Sequence, residues 1–255
     1  MNSDVAIAQL VAVLLGAARA GAWLLLCPPF NSRLIPGQVK ALLSVGIALP
    51  MTPYLTTSVP TIQTSAIISA AVLQIFVGAA LGFITFLFFA AIQAAGDMID
   101  VFGGFTLATA YDPLSQNQSS VFGRFYNLVA ATLLFASDGH QLVLRGFMES
   151  YKTMPLDASF SMETFSRLLT DGVGEMFIAA IQIAGPLIAV LFLTDVAFGL
   201  LNRVAPALNA FQLGFPAKIF LVLTLSGTAI AILPRALDGL IDKAVSAVVH
   251  LSGGG

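Results

Sequence analysis

From 41 to 96 the chain runs 56 residues without one Asp, Glu, Lys or Arg. A water-soluble domain carries about 25% charged residues spread over its surface, whereas here the whole chain holds 9%, with 58% hydrophobic. Most of this surface must therefore face lipid or other apolar protein. In hydrocarbon every backbone N–H and C=O has to find its partner inside the chain, so helices are the expected element. The fold class that follows is an all-α membrane protein. Its 255 residues leave room for roughly six helices of about 20 residues each and no large soluble domain, so one integral membrane domain spanning 1–255 is expected.

Six apolar segments can be drawn, at about 5–29, 41–55, 66–95, 122–136, 173–194 and 219–233, with a moderately apolar tail at 237–251. The second, fourth and sixth fall short of a perpendicular span, and the third exceeds one. Kinked helix hairpins are the expected arrangement, with some segments shielded by neighbouring protein rather than crossing the bilayer alone. Prolines fit this: Pro28, Pro29 and Pro36 close the first segment, Pro50 and Pro53 interrupt the second, and Pro186 falls inside the fifth. The pairs Gly16/Ala20 and Gly78/Gly82 have the four-residue spacing that permits close helix approach, a spacing that chance also supplies in apolar helices.

Charge excludes some functions. The net charge of −2 and the scattered eleven Lys and Arg give no basic field for nucleic acid. Cys27, the single cysteine, has no internal disulfide partner and reads as a small buried hydrophobe. The N-terminus lacks a basic run, so the first apolar segment is expected to be retained rather than cleaved. Arg33, Lys40, Arg203 and Lys218 fall in two loops opposite the acid-rich connection 138–171, which by the positive-inside rule turns both termini away from the cytoplasm. The closing Ser-Gly-Gly-Gly, 252–255, reads equally as native or as an expression scar and carries no argument.

Several polar residues stand out against this background. Arg19 lies in the middle of the first apolar segment, where a charge at the bilayer centre costs about 2.5–3.5 kcal/mol on insertion scales. It reads either as a pore-facing or subunit-facing cation or as a snorkelling residue. Asp97 and Asp100 share one helical face, which suits a paired-carboxylate site and, more simply, an interfacial helix end. A polar loop at about 106–121 holds Tyr111, Asp112, Pro113, Ser115, Gln116, Asn117 and Gln118, flanked by Phe102, Phe105 and Phe122. At membrane depth such a loop must line an aqueous path or be enclosed by protein. No second His or Cys stands at ligand spacing from His140, and no metal, cofactor or catalytic motif is found in the sequence.

The most specific stretch is LTDVAFGLLNRVAPALNAFQLGFPAKI, 193–219. Asp195 and Arg203 stand two helical turns apart and so point to one side. Asn209 follows Pro206, and Gly214, Phe215 and Pro216 suggest a corner before Lys218.

This ordered string resembles the FliR family of flagellar export-gate proteins, whose type III secretion counterpart is SctT. The matching positions are Leu193, Thr194, Asp195, Gly199, Arg203, Pro206, Asn209, Phe211, Gly214, Phe215, Pro216 and Lys218. Asp112-Pro113, Gly139-His140, Ser150 and Pro155 look like the family's central region, and Arg19, Pro29 and Pro36 like its first hairpin. Ala207, where the family often has Gln, and Asp100, where Gly is more usual, depart from the pattern. The resemblance implies a non-enzymatic pore subunit of the bacterial inner membrane, multi-pass and within the flagellar basal body. It implies partners of the FliP, FliQ and FlhB types, unfolded export substrates, surrounding lipid, no nucleic acid and no cofactor. It also implies that the central loop, with Phe105, Tyr111, Asp112, Pro113, Gln116, Asn117 and Phe122, plugs the closed pore. Arg19, Asp195, Arg203, Pro206, Asn209, Gly214, Phe215, Pro216 and Lys218 are then structural or assembly residues. Asp195 and Arg203 themselves read as an internal packing pair or, alternatively, as a proton relay. Two rival readings are a small-solute transporter using a broken helix near Asp195 and Arg203, and an intramembrane aspartyl protease using Asp97, Asp100 or Asp112.

Overall fold

A computed structural model describes residues 2–106, 120–157, 160–206 and 210–251. Among them there is no strand. The helices are α1 (Asn2–Leu26), α2 (Gly37–Ala48), α3 (Thr52–Leu55), α4 (Thr64–Gly103), α5 (Val121–Ala136), α6 (Gly139–Thr153), α7 (Met162–Val204) and α8 (Ala210–Leu251), with short 3-10 turns at Leu49–Met51 and Thr56–Ser58. Four helical runs are long and apolar enough to cross a membrane: Val5–Leu26, Gly37–Ser58, Thr64–Gly103 and Met162–Val204. The all-α membrane expectation is met.

The helix ends follow local chemistry where proline precedes the turn, because the residue before a proline is driven out of the α region. Thus α1 stops at Leu26, just before Cys27 and Pro28. Pro50 and Pro53 interrupt less than expected. Each sits in the first turn of its short element, where its missing N–H costs nothing, so helical geometry continues from Gly37 to Ser58.

Three expectations are corrected. The third apolar segment does not end at 95 but runs on through Asp97 and Asp100 to Gly103. The connection 138–171 is largely helix: α6 occupies Gly139–Thr153 and α7 begins at Met162. Its mixed charge is that of an amphipathic helix that buries Val143, Phe147 and Tyr151 while Glu149 and Lys152 pair at 2.9 Å on the exposed side. Finally, Gly214, Phe215 and Pro216 form no corner; they lie inside α8, which carries both Pro216 and Pro234, as α7 carries Pro186. All three prolines sit on exposed faces.

The chain divides into two compact units, 1–88 with 137–173 and 240–255, and 89–136 with 174–239. In the first, α1 and the opening half of α4 approach so closely that a Cβ at Gly78 would overlap the Arg19 carbonyl oxygen, and one at Gly82 would sit 3.0 Å from the Trp23 carbonyl oxygen. The four-residue glycine spacing is therefore a packing requirement here. Trp23 is fully buried and stacks on Phe147 of α6 with ring centroids 4.4 Å apart. Cys27, four residues on, is also buried, as expected of a small hydrophobe.

Arg19 neither faces a pore nor snorkels within this unit: it has no exposed surface at all. Its Nε donates to Gln74 Oε1 at 2.6 Å, and its Nη1 and Nη2 donate to the carbonyls of Ser150 and Met154 at 2.8 Å each. Those carbonyls lie at the C-terminal end of α6, where Ser150 O also takes the Met154 N–H at 3.0 Å and the helix dipole favours a cation. The guanidinium also lies 4.8 Å from the Tyr151 ring centroid, within cation–π range. Burial pushes the Tyr151 phenol above its usual range, so its hydroxyl keeps its proton and donates to Gly16 O at 2.7 Å. Gln74 in turn donates to Leu156 O at 3.2 Å. One charged side chain thus ties α1, α4 and the end of α6 without any carboxylate among its hydrogen-bond partners.

The second unit packs the last turns of α4 against α5 and sections of α7 and α8, with Ile92, Ile99, Tyr126, Leu134, Leu187 and Val222 in its core.

Candidate functional site

Both stretches singled out in the sequence, the stems of the polar loop and the 193–218 string, meet at the C-terminal end of α4 inside the second unit. The helix stops because Gly104 adopts φ 83°, a left-handed conformation that glycine takes without the Cβ penalty. Gly104 N–H donates to Val101 O at 3.3 Å and Phe105 N–H to Asp100 O at 3.0 Å, the paired bonds of a Schellman motif. The chain then leaves toward the loop. Residues 107–119 lie outside the described set, and with them Tyr111, Asp112, Pro113, Gln116 and Asn117.

On its return the chain enters α5 through Ser120. The Ser120 hydroxyl oxygen accepts from Gly123 N–H at 2.7 Å, the standard bond of an N-cap serine to the third helical residue. The same hydroxyl donates to the Asp100 carboxylate. Asp100 also accepts from Phe122 N–H, at 3.1 and 3.2 Å to its two oxygens. Asp100 is only 2% exposed, yet its charge faces the positive end of α5 and takes up helix donors that would otherwise be orphaned. Asp97, one turn earlier, faces the same helix start: a Cβ on Gly123 would overlap its Oδ1. Gly96 makes the complementary allowance, since a Cβ there would sit 2.5 Å from Phe122 O. Above this polar base the Phe105 and Phe122 rings meet edge to face with centroids 5.3 Å apart.

The string from α7 and α8 supports the same helix end. Lys218 Nζ pairs with Asp195 at 2.5 Å and donates to Phe102 O at 3.3 Å. A lysine at a helix C-terminus satisfies a free carbonyl and opposes the negative end of the dipole. Asp195 is thus the partner of Lys218 rather than of Arg203. Eight residues along one helix is a rise of about 12 Å, too far for a direct bond, and Arg203 is exposed near the end of α7. Gly214 allows α8 to lie on Phe198 of α7, with 3.5 Å from its Cβ position to that ring, and Gly103 faces Val222 of α8 at 2.9 Å. Phe215 is half-buried, and Pro206 and Pro216 are exposed; Asn209 lies outside the described residues.

Asp100 is engaged as a helix cap and Asp195 as half of an ion pair with an exposed face. Sequence reasoning placed Asp97 and Asp100 near a helix end but not the role of Ser120, whose position directly before the apolar run of α5 was the available signal.

Comparison with known proteins gives the family. The profile of the bacterial export proteins, family 1, matches residues 10–244. The flagellar biosynthetic protein FliR of Pectobacterium carotovorum subsp. carotovorum is 33% identical over 216 residues, covering 85% of this chain and 83% of that protein. FliR of Bacillus subtilis (strain 168) is 33% identical over 183 residues, 69% and 71% of the two chains. The surface presentation of antigens protein SpaR of Shigella flexneri is 32% identical over 161 residues, 61% of each. With a family match over nearly its whole length and a relative above 30% identity aligned over most of both chains, this chain belongs to the FliR family of bacterial export proteins, with type III secretion proteins among its relatives.

Proposed function

We propose that the chain is a structural pore subunit of the flagellar type III export gate, through which unfolded flagellar proteins cross the bacterial inner membrane within the basal body. It has no catalytic role in this reading. It works as part of an assembly with FliP-type and FliQ-type subunits and an FlhB-type switch protein. The observation that carries the reading is the family match across 10–244, joined to a polar site in which Asp100 and Ser120 cap helix ends and Asp195 pairs with Lys218. Apolar side chains on the short α2, among them Leu42 at 74% exposed, are suited to cover by lipid or by those subunits.

In the same reading the polar loop at 106–121 plugs the resting pore. Phe105 and Phe122 supply an apolar closure, while Tyr111, Asp112, Pro113, Gln116 and Asn117 offer exported chains a wettable path. Arg19, Asp195, Arg203, Pro206, Asn209, Gly214, Phe215, Pro216 and Lys218 act in folding and assembly. The test is a strain lacking the native gene. Restoring it should return flagellar proteins to the medium, and an allele deleted for 110–118 should raise ion leakage through the assembled gate. Unchanged leakage refutes the plug, and failure of the intact allele to restore export refutes the gate reading.

A further inference from the structure

Residue 100 holds both ends of the polar excursion. Its backbone carbonyl accepts from Phe105 N–H on the outgoing stem, and its carboxylate accepts from Phe122 N–H and the Ser120 hydroxyl on the returning one. Asp100 is all but inaccessible to solvent, so water does not compete for these bonds. The two stems are pressed together at two more points, the Phe105–Phe122 ring contact and the glycine-permitted approach of Gly96 to Phe122. From the far side Lys218 fixes the last carbonyls of α4 through Phe102 O. Removing the carboxylate would leave the Phe122 N–H and the Ser120 hydroxyl facing a dry gap, and the N-terminus of α5 would lose its hold on α4.

We infer that Asp100 is a latch, a positioning residue that keeps the two stems of the loop closed at their base and thereby holds the resting seal. This rests on the reading of 106–121 as a plug. The bonds of the Asp100 carboxylate all run from α4 to the N-cap and first turn of α5, so the latch can release without unfolding either helix. A chain passing the gate would then need to displace only the base contacts.

The experiment uses the export assembly in its native membrane, with three alleles: Asp100→Ala, Ser120→Ala and the 110–118 deletion. Hydrogen exchange is followed in peptides covering 120–125, ion leakage in cells that are not exporting, and subunit co-purification as the control for assembly. Losing hydrogen bonds to a carboxylate should shift the closed-to-open ratio of the base by about tenfold or more. Exchange at 120–125 and leakage should both rise by about that factor in Asp100→Ala, and less in Ser120→Ala, with co-purification retained. If Asp100→Ala fails to assemble, Ser120→Ala carries the same prediction at smaller size. Leakage from the deletion allele together with wild-type exchange or wild-type leakage in the latch variants overturns the latch and leaves the plug standing. No leakage from the deletion overturns the plug, and exchange at 120–125 then decides alone whether Asp100 holds the stems.

Discussion

Replacing Arg19 by Met is the sharpest perturbation of the first unit, because it removes a charge that never meets water. The side chain is 0% exposed. In Arg19→Met two buried acceptors, Gln74 Oε1 and Met154 O, lose donors at 2.6 and 2.8 Å, while Ser150 O loses one at 2.8 Å and keeps the Met154 N–H at 3.0 Å. Each orphaned buried acceptor costs about 1–3 kcal/mol. Against this, a thioether needs no desolvation, whereas burying a cation costs several kcal/mol. The net is a destabilisation of about 2–4 kcal/mol, or roughly 5–15 °C in unfolding temperature for a chain of this size. Gln74→Leu should also destabilise, since it leaves Nε of a buried cation without its partner. The double variant Arg19→Met/Gln74→Leu should lose less than the sum of the two, because the orphaned amide is gone along with its donor. Trp23 is the only tryptophan and lies in the same unit, stacked on Phe147, so its fluorescence reports unfolding of the chain in mild detergent. An Arg19→Met chain that unfolds at the wild-type temperature, or strictly additive single and double variants, would refute the account of this network.

Other predictions come from the same contacts. Gly78→Ala should push α1 off α4, where its methyl overlaps the Arg19 carbonyl, at a cost of about 1–3 kcal/mol; Gly37→Ala, with nothing within 4 Å of its Cβ position, should stay within about 1 kcal/mol of wild type in the same melt. Arg203→Ala removes an exposed side chain and should leave the chain's own stability within about 0.5 kcal/mol, while reducing co-purification with the other gate subunits if its role is assembly. Cys27 is 0% exposed and should resist a maleimide in the folded chain, reacting only as the Trp23 signal is lost; rapid labelling before unfolding would show that the end of α1 is open.

Helix content was legible because an uncharged run in lipid leaves the backbone no other choice. Helix limits were less so. A charge ends an apolar run in sequence, but Asp97 and Asp100 stay inside α4, where the start of α5 takes up the Asp100 carboxylate. Pro186 and Pro216 read as breaks, yet each lies inside a helix on an exposed face. Arg19 showed its cost in the sequence but not its answer, since two of its acceptors are backbone carbonyls more than 130 residues away, and carbonyls leave no mark on composition. The Asp195 partner was misassigned for a related reason: helical spacing identifies a shared face, while the true partner, Lys218, comes from another helix. Asp100 stood out as half of a carboxylate pair and as a departure from the family pattern, and its work as a cap appears once Ser120 is folded against it.

The central claim is that this chain acts as a structural part of a membrane export gate. It is tested most directly by extracting it from its native membrane in mild detergent and measuring the mass and composition of what it travels with. The account predicts one stable complex containing FliP-type and FliQ-type subunits, and loss of flagellar protein export when that complex is disrupted. A chain that runs alone, in a strain that still exports, would contradict it.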